Sequence, residues 1–170
     1  NGSTGGCIVV LQTLVFLVRA PLKAMRDMDV PTLSNGFLDL SRLGPTLHDA
    51  ATLWIGDFVE IYENGRLLPK ATVVSARVSL PSDKSFASYD EALAGLASPA
   101  LPDDTQLYWQ DGLLDVRFEY PIQSDQSRFA IQPGLTRLGL RVNVVLRLLV
   151  PGTAERAFDV HGETGIVELD

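Results

Sequence analysis

Apolar positions along this chain recur mostly at every second residue, and only two stretches switch to a helical spacing. The run CIVVLQTLVFLV is nearly continuous in apolar character. It is too short to cross a bilayer, which takes about 20 residues, and it lacks the cationic flank of a signal peptide. It therefore predicts a buried first strand over residues 8–19. Leu114, Val116, Phe118, Tyr120 and Ile122 alternate with Asp115, Arg117 and Glu119, which predicts a half-buried antiparallel strand with one wet face. Thr72, Val74, Ala76 and Val78 alternate with Val73, Ser75, Arg77 and Ser79, and SRFAIQP suggests a further short strand. The longest alternation sets Leu138, Leu140, Val142, Val144, Leu146, Leu148 and Val150 against Arg141, Asn143 and Arg147.

Turn chemistry divides these runs. Asn64-Gly65 suits a tight hairpin turn, because both residues tolerate positive φ; Val59, Ile61 and Leu67 would then face the same way. Asp111-Gly112 gives a second hairpin signal. Pro151-Gly152 ends the long alternating strand, and ERAFDVHG with GIVELD reads as a closing hairpin. Leu47, Ala50, Ala51, Trp54 and Ile55 share one helical face, which predicts a helix over 45–56. Phe86, Tyr89, Leu93 and Leu96 do the same for 86–96. Pro21 stands at a plausible first helical position for one or two turns in PLKAMRDM. Short strands with few helices point to a mainly β fold: an antiparallel β-sandwich, Ig-like, with two or three short helical insertions. Residues 1–6, NGSTGG, read as a linker or expression remnant, and 7–170 as a single β-sandwich domain.

Composition changes this picture little. The 170 residues carry a net charge of −7 and are 46% hydrophobic. Such acidity argues against nucleic acid as a partner, since that binding relies on Lys and Arg neutralising phosphates, and against docking on an anionic membrane through a basic patch. The single cysteine, Cys7, rules out an intrachain disulfide.

Catalytic signatures are missing from the sequence. No GxxxxGK[ST] or strand-to-helix GxGxxG provides a phosphate cradle, and no GxSxG elbow presents a serine. His48 falls within the first predicted helix. Asp103-Asp104, Asp27 with Asp29, and Asp159 with Glu163 are carboxylate pairs that could share a proton; Asp103-Asp104 reads more simply as a solvated turn. The expectation is a non-enzymatic protein with no cofactor. The one metal candidate is the face formed by Asp159, His161 and Glu163, whose alternation on a strand points them to one side. Imidazole and carboxylate together suit a divalent transition metal such as nickel. The same three residues also read as the wet side of a strand. Tyr108 and Trp109 stand beside a turn and are candidates for a partner-binding patch, since aromatics are enriched at interfaces. Alternation places them on opposite faces, so at most one belongs to the core.

The runs PLKAMRDMDVP, HDAATLWIGDFVEIYENGRLL, RVSLPSDKSFASYDEAL, LYWQDGLLDVRFEYPIQSDQSRFAIQP and RLGLRVNVVLRLLVPGTAERAFDVHGETGIVELD together resemble the soluble N-terminal region of bacterial HupE/UreJ-like membrane proteins. The resemblance covers about residues 19–170. It implies an extracytoplasmic, periplasmic location and a link to nickel or cobalt uptake. It also implies that the segment resembling HGETGIVELD leads toward transmembrane helices of the same full-length protein, which would be the domain's partner. The family's metal-motif residues lie in that membrane portion and none maps here, so no functional residue is carried over. The family pattern expects a His-containing opening, where this chain has NGSTGGCIVV. A second expectation is an adhesive or assembly module that self-associates through its edge strands; a small hydrolase built on an assembled acid/base pair is a third.

Overall fold

The computed structural model describes residues 12–25, 28–124, 126–132 and 134 with their side chains, and the strand backbones at 145–150, 156–161 and 167–169. The expected linker at 1–6, the start of the first strand, the early half of the longest alternating run and the Pro151-Gly152 turn lie outside the described residues. Nine strands are described in chain order: β1 (Gln12–Pro21), β2 (Glu60–Glu63), β3 (Arg66–Leu67), β4 (Thr72–Ser79), β5 (Leu113–Ile122), β6 (Phe129–Gln132), β7 (Val145–Val150), β8 (Arg156–His161) and β9 (Val167–Leu169). They form two antiparallel sheets, one five-stranded in the order β4-β5-β1-β7-β8, the other four-stranded in the order β3-β2-β6-β9. Two helices, α1 (Gly44–Ala50) and α2 (Tyr89–Ala97), complete a mainly β fold.

The nearly continuous apolar character of β1 has a direct cause. Leu14 to Ala20 are all buried, because the strand is central in its sheet and covered on both faces. Leu14, Phe16, Val18 and Ala20 enter the main core together with Val116, Phe118 and Tyr120 of β5, Ile61 of β2 and Phe129 and Ile131 of β6. The rings of Phe16 and Phe118, directly opposite in register, stack with centroids 6.0 Å apart. Val15 and Leu17 face the other way and pack with Phe86, Tyr89, Ala92 and Leu96 from α2 and the turn before it.

The first helical face is realised as read, whereas the second is interrupted: Phe86 sits in a separate 3-10 turn, Ser85–Ala87, and α2 begins after the extended Ser88. α1 starts with Pro45 in its first turn and runs into a π-helical turn, Ala51–Gly56. Leu47, Ala50, Ala51 and Ile55 are buried in the main core, with Trp54 packed against it. α2 is capped by Ser88, whose Oγ accepts the Glu91 N–H at 3.2 Å, one half of a capping box. The Asn64-Gly65 hairpin is also present: both residues have positive φ, 50° and 82°, as a tight turn between two strands requires.

Several expectations are corrected. Asp111-Gly112 does not make a hairpin. Trp109–Asp111 form a 3-10 turn and Gly112 is extended, while β5 pairs with the distant β1 and β4. The closing hairpin is absent too: β8 pairs with β7 and β9 with β6, in different sheets. Pro21 ends β1 rather than opening a helix, and among the described residues a 3-10 turn, Leu22–Ala24, follows it. Leu67 is 53% exposed, because β3 is a two-residue edge strand; Leu68 packs on the core instead. A register shift between Val73 and Ser75 breaks the alternation of β4, as bulges do. Val74 turns outward, and Val73, Ala76 and Val78 meet the core. Asp115, expected on a wet face, is 2% exposed.

Candidate interaction surface

The segment TLSNGFL folds back on itself as a small loop. Leu33 N–H donates to Phe37 O at 2.8 Å and Gly36 N–H to Leu33 O at 2.9 Å. Gly36 takes φ 91°, a left-handed conformation that glycine adopts without steric cost. Asn35 Oδ1 accepts the Phe37 N–H at 3.1 Å. Bridges pair Thr32 with Leu38 and Phe37 with Tyr108, so the loop is pinned to the segment before β5. The rings of Phe37 and Tyr108 lie 4.4 Å apart, centroid to centroid. Tyr108 is 44% exposed and Leu33 43%. Leu38 and Leu107 beneath them are buried, which fixes the backbone that carries the pair. The result is an outward-facing aromatic and aliphatic patch on a hydrogen-bonded support.

Tyr108 and Trp109 therefore have different environments. Tyr108 points to solvent beside Phe37, whereas Trp109 packs against the main core. Phe37 and Leu33 were not singled out from the sequence. The turn residues Asn35-Gly36 were the available signal, but nothing in the sequence pairs that loop with Tyr108, about 70 residues away.

The strongest polar cluster lies elsewhere, on the α2 side of β1. Arg19 Nε and Nη2 donate to the two carboxylate oxygens of Asp115 at 2.7 and 2.8 Å, across a register pair of β1 and β5. Ser79 Oγ donates to the same carboxylate at 2.5 Å. Arg19 also reaches Asp83 Oδ1 at 2.9 Å and its carbonyl at 2.8 Å, and its guanidinium carbon sits 4.5 Å above the Phe86 ring. Burial works against the charge on Arg19, but Asp115 and Asp83 outweigh it and hold its pKa above the ordinary value. Burial likewise works against the charge on Asp83. Hydrogen bonds from Ser85, and the bond and charge of Arg19, overcome that and hold the carboxyl down at about 2. Each acidic group is engaged by a permanent cation or a hydroxyl, and the cluster fixes the geometry of this side of the sheet.

A groove of about 380 Å³ runs between the β2–β3 hairpin and the end of β5, past Glu63, Arg66, Leu67, Pro121 and Gln123. The Glu63 carboxylate is occupied by the Gln123 and Ser124 N–H groups and by Ser127 Oγ at 2.7 Å. It ties the loop before β6 to β2.

The metal candidates meet the structure only through the backbone. Asp159 stands opposite Arg147 and His161 opposite Val145 on β8, an edge strand. Glu163, and the side chains of all three residues, lie outside the described residues. No group of three or more His, Cys, Asp or Glu side chains able to hold a metal occurs among the described residues. His48 is exposed on α1, and Asp103 and Asp104 are exposed in a turn. No helix among the described residues is long and apolar enough to cross a membrane.

Compared with family models, with curated proteins and with solved structures, the chain has no match in any of the three.

Proposed function

We propose that this chain is a non-catalytic, extracytoplasmic domain of a HupE/UreJ-like membrane protein, acting as a partner-binding cap over that protein's own transmembrane helices. The reading rests on the resemblance of the long sequence runs quoted above, and the observation that carries the binding role is the Phe37–Tyr108 patch. An exposed Tyr108 packed beside a half-buried Phe37 on a hydrogen-bonded support can bury apolar area at little entropic cost, which is how aromatics serve interfaces. The finer architecture belongs to the same proposal: an Ig-like β-sandwich whose two sheets share the core built from Phe16, Phe118, Ile61 and Phe129. Its location would be periplasmic, and its link to nickel or cobalt uptake would run through the membrane helices.

The test is site-specific photo-crosslinking in membranes that contain the full-length protein, with the probe at Tyr108 and, as a control, at Leu53, which is 59% exposed on the π-helical turn. Crosslinks from position 108 to the membrane helices, and none from 53, support the cap. Crosslinks from neither position, in a protein that is folded and inserted, retire it. Self-association through edge strands is the second reading, favoured by the terminal places of β4 and β8 in the order of the described five-stranded sheet; a monomer in sedimentation at high concentration would remove it. Titration calorimetry with Ni²⁺, Co²⁺, Zn²⁺ and Cu²⁺, repeated on His161→Ala, decides whether Asp159, His161 and Glu163 form a metal relay.

A further inference from the structure

Among the described residues, the segment Asp83 to Ser98 covers the outer face of the five-stranded sheet over β1, and it is held at both ends by arginines that belong to the sheet. At the front, Arg19 of β1 donates Nη1 to the Asp83 carbonyl at 2.8 Å and Nη2 to the Asp83 carboxylate at 2.9 Å and Ser85 Oγ at 3.3 Å. At the rear, Arg77 of β4 donates Nη1 to the Gly95 carbonyl and, at 2.9 Å, to the Ser98 carbonyl, where a helix terminus leaves carbonyls unpaired and favours a cation. Among the described residues, the apolar cluster beneath α2 is small: Val15, Leu17, Phe86, Tyr89, Ala92 and Leu96, with Leu93 at its margin, separate from the main core.

The interface is also imperfectly satisfied. Tyr89 is 7% exposed, yet its hydroxyl has no hydrogen-bond partner among the described residues, and neither has Arg77 Nε. A buried polar group without a partner opposes burial of the surface that carries it. Both orphaned groups are freed to water if the segment lifts. The front clamp is asymmetric in a useful way: Arg19 keeps its two bonds to Asp115 whether or not Asp83 is present, so release of the cover leaves no unpaired buried charge in the sheet.

From these observations we infer that Asp83–Ser98 is a hinged cover that opens as a unit on an otherwise intact sheet, with Arg19–Asp83 and Arg77–Gly95/Ser98 as its two latches. Opening uncovers Val15 and Leu17, an apolar strip of β1 bordered by Arg19 and Arg117. Segments held by few apolar contacts open at a free energy below that of global unfolding, and the latches set how far below.

The experiment is native-state hydrogen exchange followed by mass spectrometry on the whole chain, wild type against Asp83→Ala and Arg77→Gln. The expected result is that amides in 84–98 exchange faster than those of β1 and β5 in the wild type. Either variant should accelerate the 84–98 amides several-fold, as loss of a charged hydrogen bond implies, while 14–20 and 114–120 remain slower than 84–98 in both variants. Equal exchange rates for 84–98 and for 14–20 and 114–120 in both variants would mean that the cover opens only with the whole domain, and would overturn the inference. Equal protection of 84–98 and β1 in the wild type, unmoved by either variant, would overturn it as well. Far-ultraviolet circular dichroism on both variants separates local opening from failure to fold.

Discussion

The two faces of β1 are built on opposite plans. Toward the four-stranded sheet, Leu14, Phe16 and Val18 meet a continuous apolar core with a stacked aromatic pair at its centre. Toward α2, Val15 and Leu17 meet a small cluster, and Arg19 continues the row with a buried ion network. One strand thus carries dense dispersion contacts on one side and directional, charged contacts on the other. Apolar packing tolerates rearrangement but not voids. The ion network tolerates no lost partner. Stability therefore resides mainly on the first face and positional specificity on the second.

Substitutions on the two sides should separate these roles. Phe118→Ala removes a side chain 1% exposed that stacks on Phe16, and should cost about 4 kcal/mol in urea denaturation, as large cavities in aromatic cores do. Asp115→Ala should cost about 3 kcal/mol, the lower end for breaking a buried pair, because Arg19 retains Asp83 and Ser85. An equal or larger loss for Asp115→Ala than for Phe118→Ala would reverse the assignment of roles. Leu17→Ala, under the thin cover, should cost about 2 kcal/mol, near the minimum for a buried leucine, and less than Leu14→Ala on the same strand. Equal losses at 14 and 17 would mean that the α2 side is packed as tightly as the main core.

The smallest effect is titratable. The Asp83 carboxyl is held at about 2 against an ordinary 3.8. A depressed carboxyl stabilises the fold when ionised, so its contribution is complete above about pH 4 and fades as pH falls toward 2. The side chain is 32% exposed, and solvent screening limits the contribution to about 1 kcal/mol. Asp83→Asn should flatten that part of the stability-against-pH curve while leaving stability at pH 7 lower by the same amount. An unchanged slope between pH 4 and 2 would show that the front latch contributes nothing.

Much of the secondary structure was legible in the sequence because it follows local periodicity. Leu47 to Ile55 and Tyr89 to Leu96 declared their helices, and Asn64-Gly65 declared its turn; Phe86 shares the apolar face but sits in a turn before the helix. The errors arose where a long-range partner decided the outcome. Asp111-Gly112 has hairpin chemistry, but β5 finds β1 and β4 instead, and the glycine stays extended. Asp115 alternates as a wet residue should; only the register with β1, which sets Arg19 opposite it, makes its burial possible. The patch was half legible: Tyr108 was singled out, while Phe37 reaches it through a bridge that no local pattern encodes. Asp159 and His161 keep only their strand positions opposite Arg147 and Val145.

The central place of β1 has a consequence for how the chain is made. Its two neighbours, β5 and β7, follow it by about a hundred residues or more. A strand that must wait for such distant partners pays a large loop-closure entropy and folds late. While the rest of the chain is being synthesised, Leu14 to Ala20 have no sheet to enter and remain the most adhesive stretch of the nascent polypeptide. A segment buried on both faces in the finished domain is thus exposed before its partners arrive, and in need of a chaperone.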